Sequence, residues 1–587
     1  MKRVQTQVLV IGGGPVGLST ALHLDAQGID CTLVEKHPTT AYHPKASYFN
    51  VRTMEILRTL GIADEVYATA LMPAGVSFYT SICGYKLGVF DGSDYPDHLE
   101  RLIRSTASPA CVSSQIVLER ILKEHADRAA HVTVLFHHEK TTLEQDERSV
   151  RTTVVDRTSG EELVIEADYA IACEGIRSST REQLGGKMIG PPPFGHVINV
   201  YLEADLESLV EERDQALFWT TTPKAPGAFI ALGGDRRRYC FNTPYFPEKG
   251  ERVEDFTEER CLAKVRAALG SDELPVEILA IGSWVLCGQV IDRYRQGRVF
   301  FGGDTAHSNI PTGGFGFNTG MQETHNLAWK MAAVLRGQAP DTLLDTYHSE
   351  RRPIADFNVE KSRENAVNIR ETGATFGGYV PDTDEIDLDT ERGRAQREAK
   401  RDAIARQKTH FLFLGQEIGF DYWDSPVVVA DGTPHYAEEH GVDNPVYVYV
   451  ANARPGARAP HCWVAHASTP EERFPILDLF TTDFVLLTAG ERGRGWAKHL
   501  PGNGGGPGVR RYHVGGATSG ADLVDVDGCW GSNYGIACDG AVLVRPDGHV
   551  CWRATSGPEA HVGVGVTQAI EIALGRRAGQ AATMTAA

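Results

Sequence analysis

The segment that most constrains the fold of this chain is a short apolar strand followed at once by glycines and a helix. Residues 8–11 read VLVI, residues 12–17 read GGGPVG, and apolar residues at helical spacing continue to Gln27. A second strand, Cys31–Glu35, ends in an acid. This order of strand, glycine turn, helix and strand is typical of a parallel βαβ unit that binds a dinucleotide.

Three glycines have separate roles in such a unit. We expect Gly12 to permit the tight turn, Gly14 to let the backbone approach a pyrophosphate, and Gly17 to allow close packing of helix on strand. Glu35 is placed to bind ribose hydroxyls, and its charge disfavours a 2′-phosphate. The segment therefore predicts tight binding of FAD or NAD rather than NADP.

A second glycine-rich segment lies some three hundred residues later, where residues 298–330 read RVFFGGDTAHSNIPTGGFGFNTGMQETHNLAWK. It predicts a strand, then Asp304 near a polyol, then a glycine turn and a helix over 318–330. The start of that helix would face developing negative charge. A reduced flavin carries such charge and NAD does not, so the two segments together favour one FAD site.

Length and composition set further limits. A chain of 587 residues is too long for one core, so we expect two or three domains. The net charge of -19 argues against nucleic-acid or membrane partners. The eleven cysteines form no C-x-x-C pair or zinc spacing, and no apolar run reaches membrane-spanning length. We expect no metal, no signal peptide and a cytoplasmic protein.

The pattern along the chain predicts an α/β fold with three units. The first is a Rossmann-like FAD-binding domain over 1–76, 105–190 and 289–415. The second is an inserted β-sheet substrate domain over 77–104 and 191–288, where strands alternate with few helices. The third covers 426–587, and 371–415 is predicted to wrap the surface.

The chain resembles the class A flavoprotein aromatic hydroxylases, and within them the phenol hydroxylase and 2,4-dichlorophenol 6-monooxygenase type. The resemblance rests on the first glycine loop, on RVFFGGDTAH, on GFGFNTGMQETHNLAWK and on LLDTYHSERRPIA at 343–355. It implies a C-terminal thioredoxin-like domain that lacks C-x-x-C and is structural or oligomeric, so we expect a homo-oligomer.

The resemblance implies non-covalent FAD, with NADPH or NADH as a transient reductant. The residues it assigns to FAD are Gly12, Gly14, Pro15, Val16, Gly17, Glu35, Lys36, Lys45, Gln115, Gly175, Asp304, Pro311, Gly316, Phe317 and Asn318.

This sequence departs from the family pattern at three places. Lys45 stands where the family has arginine, and Glu174, before Gly175, stands where it has aspartate. Aligned with the carboxylate and tyrosine that simple phenol hydroxylases place near the substrate hydroxyl are Ser47 and Trp284. These two are our predicted substrate-pocket residues, and they favour a bulkier ring than phenol.

The activity implied by the resemblance is hydroxylation of an aromatic ring with O2 through a flavin C4a-hydroperoxide. Candidate catalytic residues are His43, Tyr48 and Arg52 in the loop after the first βαβ unit, and Pro311 beside the flavin. Two alternatives remain open from sequence. One is an FAD oxidase or dehydrogenase without oxygen insertion, and the other is a non-catalytic flavin-binding protein.

Overall fold

A computed structural model describes residues 2–72, 75–210, 215–234, 236–375, 383–500, 508–516 and 520–577. Over these residues the fold is mixed α/β with several sheets. The end of the predicted C-terminal unit, residues 578–587, lies outside the described residues, and so does 376–382 of the predicted surface segment.

The first sheet forms around the opening strand, whose Val8, Leu9 and Val10 are fully buried. That strand pairs in parallel with its neighbours on both sides. Apolar residues on both faces suit a parallel strand because helices cover both sides of such a sheet. In spatial order the strands are Arg295–Gln296, Val299–Phe301, Glu162–Ala172, Lys2–Ile11, Cys31–Glu35 and Val132–Phe136, with Val150–Asp156 and His138–Gln145 attached through Glu162–Ala172.

A second sheet of seven strands is largely antiparallel and covers the residues in which alternating strands were predicted. Its one parallel pair joins Gln215–Thr220 to Gly75–Tyr79. In spatial order its strands are Val276–Leu286, Gly195–Ala204, Arg238–Tyr245, Gly227–Ala231, Gln215–Thr220, Gly75–Tyr79 and Lys86–Asp91.

The C-terminal sheet also has seven strands. Within it, the strand Phe484–Ala489 pairs in parallel with Val509–Gly515 and antiparallel with Ala541–Val544. The order is Arg473–Pro475, Trp463–His466, Leu523–Asp525, Val509–Gly515, Phe484–Ala489, Ala541–Val544 and Val550–Ala554. Two small sheets complete the strands, one of Met188–Ile189, Gln289–Ile291 and His307–Ser308, the other of Tyr48–Phe49 and Cys111–Val112.

Two long helices pack against each other, and the first of them starts at the predicted second glycine turn. It covers Phe315–Leu335, a few residues longer at each end than predicted, and the second covers Thr346–Asn368. The other α-helices are Pro15–Ala26, Val51–Thr59, Ala63–Tyr67, Pro96–Ser105, Gln115–Arg128, Ser179–Gln183, Glu258–Leu269, Glu391–Ala405, Lys408–Phe411, Leu414–Ile418, Tyr436–Glu439, Gly490–Gly493, Trp530–Tyr534 and Val566–Ala573. Within the described residues no helix is long and apolar enough to cross a membrane.

The prediction that 371–415 wraps the surface is wrong for its end, from Ala403 onward. The helix Glu391–Ala405 is mostly exposed, but Ile404 and Leu412 join a core that includes Trp219 of the second sheet. The run FLFL at 411–414 is apolar, and burying it stabilises the fold by removing that surface from water. This segment therefore helps to enclose the centre of the molecule.

The C-terminal unit docks on the first sheet and its helices through buried charges. Arg545 bridges Glu350 and Asp547, with nitrogen–oxygen distances of 2.7 and 2.5 Å. Lys330 reaches the same Glu350 at 2.6 Å. These side chains are 2% exposed or less, so none of the charges is solvated by bulk water.

Candidate active site

One continuous cavity of about 2790 Å³ is lined by the first sheet, the second sheet and the C-terminal unit. Pockets for drug-sized ligands measure roughly 300–1,000 Å³. The cavity therefore has room for a large cofactor and a second organic molecule together.

The helix Pro15–Ala26 begins at this cavity without a side-chain cap. Its N-cap is Gly14, and a Cβ built on Gly14 meets no atom within 4 Å, because the residue faces open space. The first turn of a helix carries unpaired N–H groups and positive dipole charge. This is a fitting environment for a phosphate.

Gly12 and Gly17 belong to the same glycine turn but do not line the cavity. Gly12 has a φ of +113°, which favours glycine, and a Cβ there would stand 2.3 Å from the Cys173 carbonyl oxygen. A Cβ on Gly17 would stand 1.9 Å from the Gly12 carbonyl oxygen. Both glycines permit close backbone packing.

Alanine at two of these glycines should therefore give opposite phenotypes. We expect Gly14→Ala to fold normally but to weaken FAD binding by about tenfold or more, because its methyl group enters the cofactor space. We expect Gly17→Ala to lose roughly 1–3 kcal/mol of folding stability through overpacking. FAD titration and thermal unfolding of both variants check this. Equal unfolding midpoints for the two variants would contradict the assignment.

Glu35 is the last residue of the second strand, Cys31–Glu35, and it lines the cavity. Its carboxylate accepts hydrogen bonds from the backbone N–H of Gly13 at 2.7 Å and of His37 at 2.8 Å. The acid is thus held beside the first glycine loop, with Lys36 next to it in the cavity wall.

Gln115 and Glu119 hold the loop that follows Glu35. Gln115 accepts from the Ala46 N–H at 3.0 Å, and Glu119 accepts from the Ala41 N–H at 2.7 Å. Gln115 also donates to Glu119 at 2.5 Å. Lys45, between the two anchored positions, is exposed and lines the cavity.

Asp304 lies at the carboxyl end of Val299–Phe301, in the short turn Gly303–Thr305. Its side chain is exposed to the cavity and caps no helix, and its carboxylate makes no hydrogen bond to another described residue. The adjacent Gly303 N–H donates to the buried Glu323 at 2.8 Å, which fixes the turn. A fixed, unpaired carboxylate at this edge can accept hydrogen bonds from ligand hydroxyls.

The helix Phe315–Leu335 also begins at the cavity without a side-chain cap, with Gly314 as its N-cap. Pro311, Gly316 and Phe317 line the cavity there. Asn318 does not. Its side chain accepts from the Asn50 N–H at 3.0 Å and donates to the Tyr48 carbonyl at 2.9 Å, so it joins two chain segments at the site.

The Glu174–Gly175 turn packs beside Asp304. Gly175 has a φ of +83°, lines the cavity and donates its N–H to Thr305 Oγ1 at 3.0 Å. Glu174 accepts from Ser178 Oγ at 2.6 Å and from the Thr180 N–H at 3.1 Å. Glu174 stands where the family has aspartate, and its carboxylate therefore accepts hydrogen bonds from the start of the helix Ser179–Gln183.

Most of the predicted site residues meet in the one cavity, although they come from distant parts of the chain. Those that line it are Gly14, Pro15, Val16, Glu35, Lys36, His43, Lys45, Ser47, Tyr48, Gln115, Gly175, Trp284, Asp304, Pro311, Gly316 and Phe317.

Arg52 lies elsewhere, and its placement does not support the catalytic role predicted for it. The side chain is 6% exposed, donates to the Asp547 carbonyl oxygen at 2.7 Å and pairs with Glu55 at 3.1 Å. It lies outside the lining of the cavity. Arg52 therefore ties its helix to the C-terminal unit.

His43 lies between the loop and the second sheet. Its Nδ1 is 3.2 Å from the Pro44 carbonyl oxygen, while its buried Nε2 makes no hydrogen bond to a described residue. Burial lowers the pKa of His43, so the ring is neutral at pH 7. A neutral imidazole can offer a polar contact to a ligand without carrying charge.

Sequence reasoning missed Glu417, which touches the site through Tyr48. Tyr48 Oη donates to Glu417 Oε1 at 2.8 Å, and the carboxylate is 4% exposed. The available signal was an acid three residues after the apolar FLFL run at 411–414, just beyond the segment 371–415 that was predicted to lie on the surface.

The geometry fits FAD. Two uncapped helix starts suit the pyrophosphate and a flavin with negative charge, and Glu35 and Asp304 supply acceptors for ribose and ribityl hydroxyls. Fold and site together define an FAD-binding flavoprotein.

Comparison with known proteins identifies the family. Residues 5–362 match the model of the FAD binding domain, and residues 452–581 match that of the aromatic-ring hydroxylase C-terminal domain. The chain belongs to the FAD-dependent aromatic-ring hydroxylases, as its sequence predicted. It is an FAD-dependent aromatic monooxygenase, and enzymes of this family typically take their electrons from NAD(P)H.

Three relatives illustrate the similarity. A Streptomyces halstedii protein named for polyketide hydroxylation is 36% identical over 93% of both chains. The 2,4-dichlorophenol 6-monooxygenase of Delftia acidovorans is 32% identical over 94% of this chain and 95% of that one. The crystal structure of the flavin-dependent monooxygenase PieE with FAD and substrate has a TM-score of 0.87 at 32% identity, covering 98% of this chain and all of that one.

Proposed function

We propose that the enzyme hydroxylates one ring of a multi-ring phenolic compound of the polyketide type. The size of the cavity carries this proposal, because about 2790 Å³ is well above the roughly 300–1,000 Å³ of a pocket for one drug-sized ligand. The names of two relatives refer to substrates of different size: one is named for polyketides and the other for 2,4-dichlorophenol, which has a single ring.

The wall formed by the second sheet suits such a substrate. It includes Trp219, Ile230 and Trp284, and Phe413 lines the cavity beside the second glycine turn, where it packs against Phe315. Flat aromatic and aliphatic side chains bind ring systems and exclude water. The buried amides of Asn199 and Asn242, joined by a hydrogen bond of 2.5 Å, add a polar contact.

FAD, when bound, would accept hydride from the nicotinamide cofactor and activate O2 for insertion into the ring. In our proposal Glu35, Gln115 and Asp304 hold the cofactor non-covalently, and Ser47 and Trp284 contact the substrate. Pro311 borders the space between the two ligands. The chain's own contribution is binding, orientation and exclusion of water.

We propose that these tasks are distributed over three units of the chain. Residues 1–76, 105–190 and 289–415 form a Rossmann-like FAD-binding domain, and 77–104 with 191–288 form the substrate domain. Residues 426–587 form a thioredoxin-like domain that supports the fold and self-association.

The test uses the purified holoenzyme with NADPH or NADH, O2 and three aromatic compounds: phenol, 2,4-dichlorophenol and 1,8-dihydroxyanthraquinone. We expect the three-ring compound to give the highest yield of singly oxygenated product per nicotinamide oxidised, measured by mass analysis. Cofactor oxidation that yields only hydrogen peroxide with every compound would favour an oxidase. FAD binding without any oxidation of the nicotinamide would favour a non-catalytic flavoprotein.

Trp284→Ala should weaken substrate binding in this assay. Loss of a large aromatic contact costs roughly 1.5–3 kcal/mol, so we expect KM for the three-ring substrate to rise about tenfold or more while FAD binding stays unchanged. The matched control is Leu279→Ala, an exposed residue of the same strand Val276–Leu286 that does not line the cavity. Equal KM values for both variants would show that Trp284 does not contact the substrate.

A further inference from the structure

Two cysteines of the C-terminal unit meet on the wall of the cavity. The Sγ atoms of Cys462 and Cys529 are 3.5 Å apart, although 67 residues separate them in the chain. The eleven cysteines are all free, and this is the one hydrogen bond between two thiols in the part of the chain that the structure describes. The sequence has no C-x-x-C motif, so the pair is created by folding alone.

Strand pairing holds the two thiols in place. Cys462 directly precedes the strand Trp463–His466. Cys529 follows the strand Leu523–Asp525, and the two strands pair antiparallel. Asn533 donates its Nδ2–H to Cys462 Sγ at 3.6 Å and its backbone N–H to the Cys529 carbonyl oxygen at 2.9 Å. A disulfide has an S–S length of about 2.05 Å, so the sulfurs need to approach by only about 1.5 Å.

The thiols can be reached from the cavity, because both line it. Cys462 is buried and Cys529 is partly exposed. His461 lines the same wall at 2% exposure, and neither of its ring nitrogens makes a hydrogen bond to a described residue. Burial lowers its pKa to about 4, so the ring is neutral and offers one N–H donor and one acceptor. This wall can therefore bind a small polar molecule beside the thiols.

The two thiols differ in acidity. The contact with Cys529, reinforced by burial, raises the pKa of Cys462, which keeps its proton. The same contact lowers the pKa of Cys529, against the opposing effects of burial and of nearby carboxylates. Burial raises the pKa of Cys173, the third cysteine of the cavity lining, to about 12. Of these three, Cys529 is the one that forms a thiolate most readily, and the thiolate is the reactive form.

We propose that Cys529 and Cys462 form a dithiol site that reduces hydrogen peroxide to water and is itself converted to a disulfide. Cys529 Sγ attacks one peroxide oxygen as the O–O bond breaks. This gives a sulfenic acid on Cys529 and a hydroxide ion, which takes up the proton that Cys529 gave off and becomes water.

The second step closes the disulfide. Cys462 Sγ attacks the sulfenic sulfur, the S–S bond forms as the S–O bond breaks, and the Cys462 proton leaves with the hydroxyl group as a second water. Two thiols and one hydrogen peroxide thus become one disulfide and two waters. The sulfurs lose two electrons and the peroxide gains them, so atoms and electrons balance.

The source of peroxide would lie in the same cavity, because the residues that fit FAD line it together with the thiols. An FAD-dependent monooxygenase brings two electrons and O2 together. When no oxygen atom is inserted into a substrate, two-electron reduction of O2 yields hydrogen peroxide. The inference goes beyond the proposed function and does not depend on which ring is hydroxylated.

The experiment treats the reduced holoenzyme with equimolar hydrogen peroxide in the absence of nicotinamide cofactor and then blocks the remaining thiols with iodoacetamide. We expect the free thiols per chain to fall by two from eleven. Protease digestion and mass analysis should find the peptides of Cys462 and Cys529 joined, and dithiothreitol should separate them. A pair that stays reduced while the exposed Cys83 or Cys538 is oxidised would overturn the proposal.

Serine variants separate the two roles. Cys529→Ser should consume peroxide about tenfold more slowly than the parent, because the reactive thiolate is gone. Cys462→Ser should stop at the sulfenic acid on Cys529, which dimedone labels. The matched control is Cys538→Ser, an exposed cysteine of the same unit, which should form the disulfide as the parent does.

FAD content and the thermal unfolding midpoint should match the parent in all three variants. Parent-like peroxide consumption by Cys529→Ser, or no dimedone label on Cys462→Ser, would contradict the assigned roles. The disulfide map of the parent needs no substitution, so it decides the proposal even if a variant fails to fold.

Discussion

Arg545→Met is expected to lower the free energy of unfolding by about 3–5 kcal/mol, because it removes one partner from a buried cluster of charges. Methionine has a similar length, but it leaves Glu350 and Asp547 without the guanidinium that lies 2.7 and 2.5 Å from them. Arg545 holds the pKa of both carboxyls below their ordinary values of 4.5 and 3.8, against the opposing effect of burial.

Urea unfolding followed by tryptophan fluorescence measures this effect, since Trp329 is packed edge-on against Phe484 at the junction. The matched control is Arg363→Met, which breaks an exposed ion pair with Glu360 and should cost less than about 1 kcal/mol. An Arg545→Met protein that unfolds at the parent's urea concentration would show that the buried cluster does not stabilise the fold.

The same cluster predicts how stability changes with pH. Because the folded-state pKa of Glu350 and Asp547 is lowered, their contribution is fully present above the ordinary values of 4.5 and 3.8 and is lost as pH falls below them. The parent should lose stability steeply on acidification through this range. In Arg545→Met the loss should be shallower, and parallel acid-unfolding curves would contradict this.

Asp304→Ala is expected to release most of the FAD from the purified protein. A hydrogen bond to a charged group contributes roughly 1.5–3 kcal/mol, so the Kd for FAD should rise about 10- to 100-fold. The carboxylate faces the cavity and makes no hydrogen bond to another described residue, so its removal should leave the fold intact.

Flavin absorbance after gel filtration and FAD titration of the apoprotein measure the loss. Asp304→Asn retains a hydrogen-bond acceptor in the same place and should lose less affinity than alanine. An alanine variant that binds FAD as tightly as the parent would show that the Asp304 carboxylate does not bind the cofactor.

The features that sequence could predict are those built from neighbours in the chain. Gly12, Gly14 and Gly17 act within one turn, and Asp304 directly follows its strand, so each environment is encoded locally. The contact between Tyr48 and Glu417 spans 369 residues, and nothing near either residue specifies the other. Arg52 illustrates the same limit, because its partner carbonyl is 495 residues away.

Glu417 lies two residues beyond 371–415, the segment that was predicted to wrap the surface, and the buried end of that segment leads into it. Charged residues dominate 391–402, which predicts an exposed helix, and this hid the change to apolar residues at 411–414. Whether such a short run is buried depends on the surface it meets, here the second sheet for Phe411 and Leu412, and Val51 with Tyr449 for Leu414. That information is tertiary and is absent from local periodicity.

The buried pair of Glu55 and Arg458 has a consequence for how such enzymes can diverge. One charge belongs to a helix beside the cavity, and the other to the entry of the C-terminal unit, in a contact closed to water. A chimera whose C-terminal unit lacks an arginine at this position would leave the Glu55 carboxylate buried without its guanidinium. Exchange of whole units should therefore succeed only with donors that supply this arginine, so one buried contact limits which C-terminal units can be combined with this cavity.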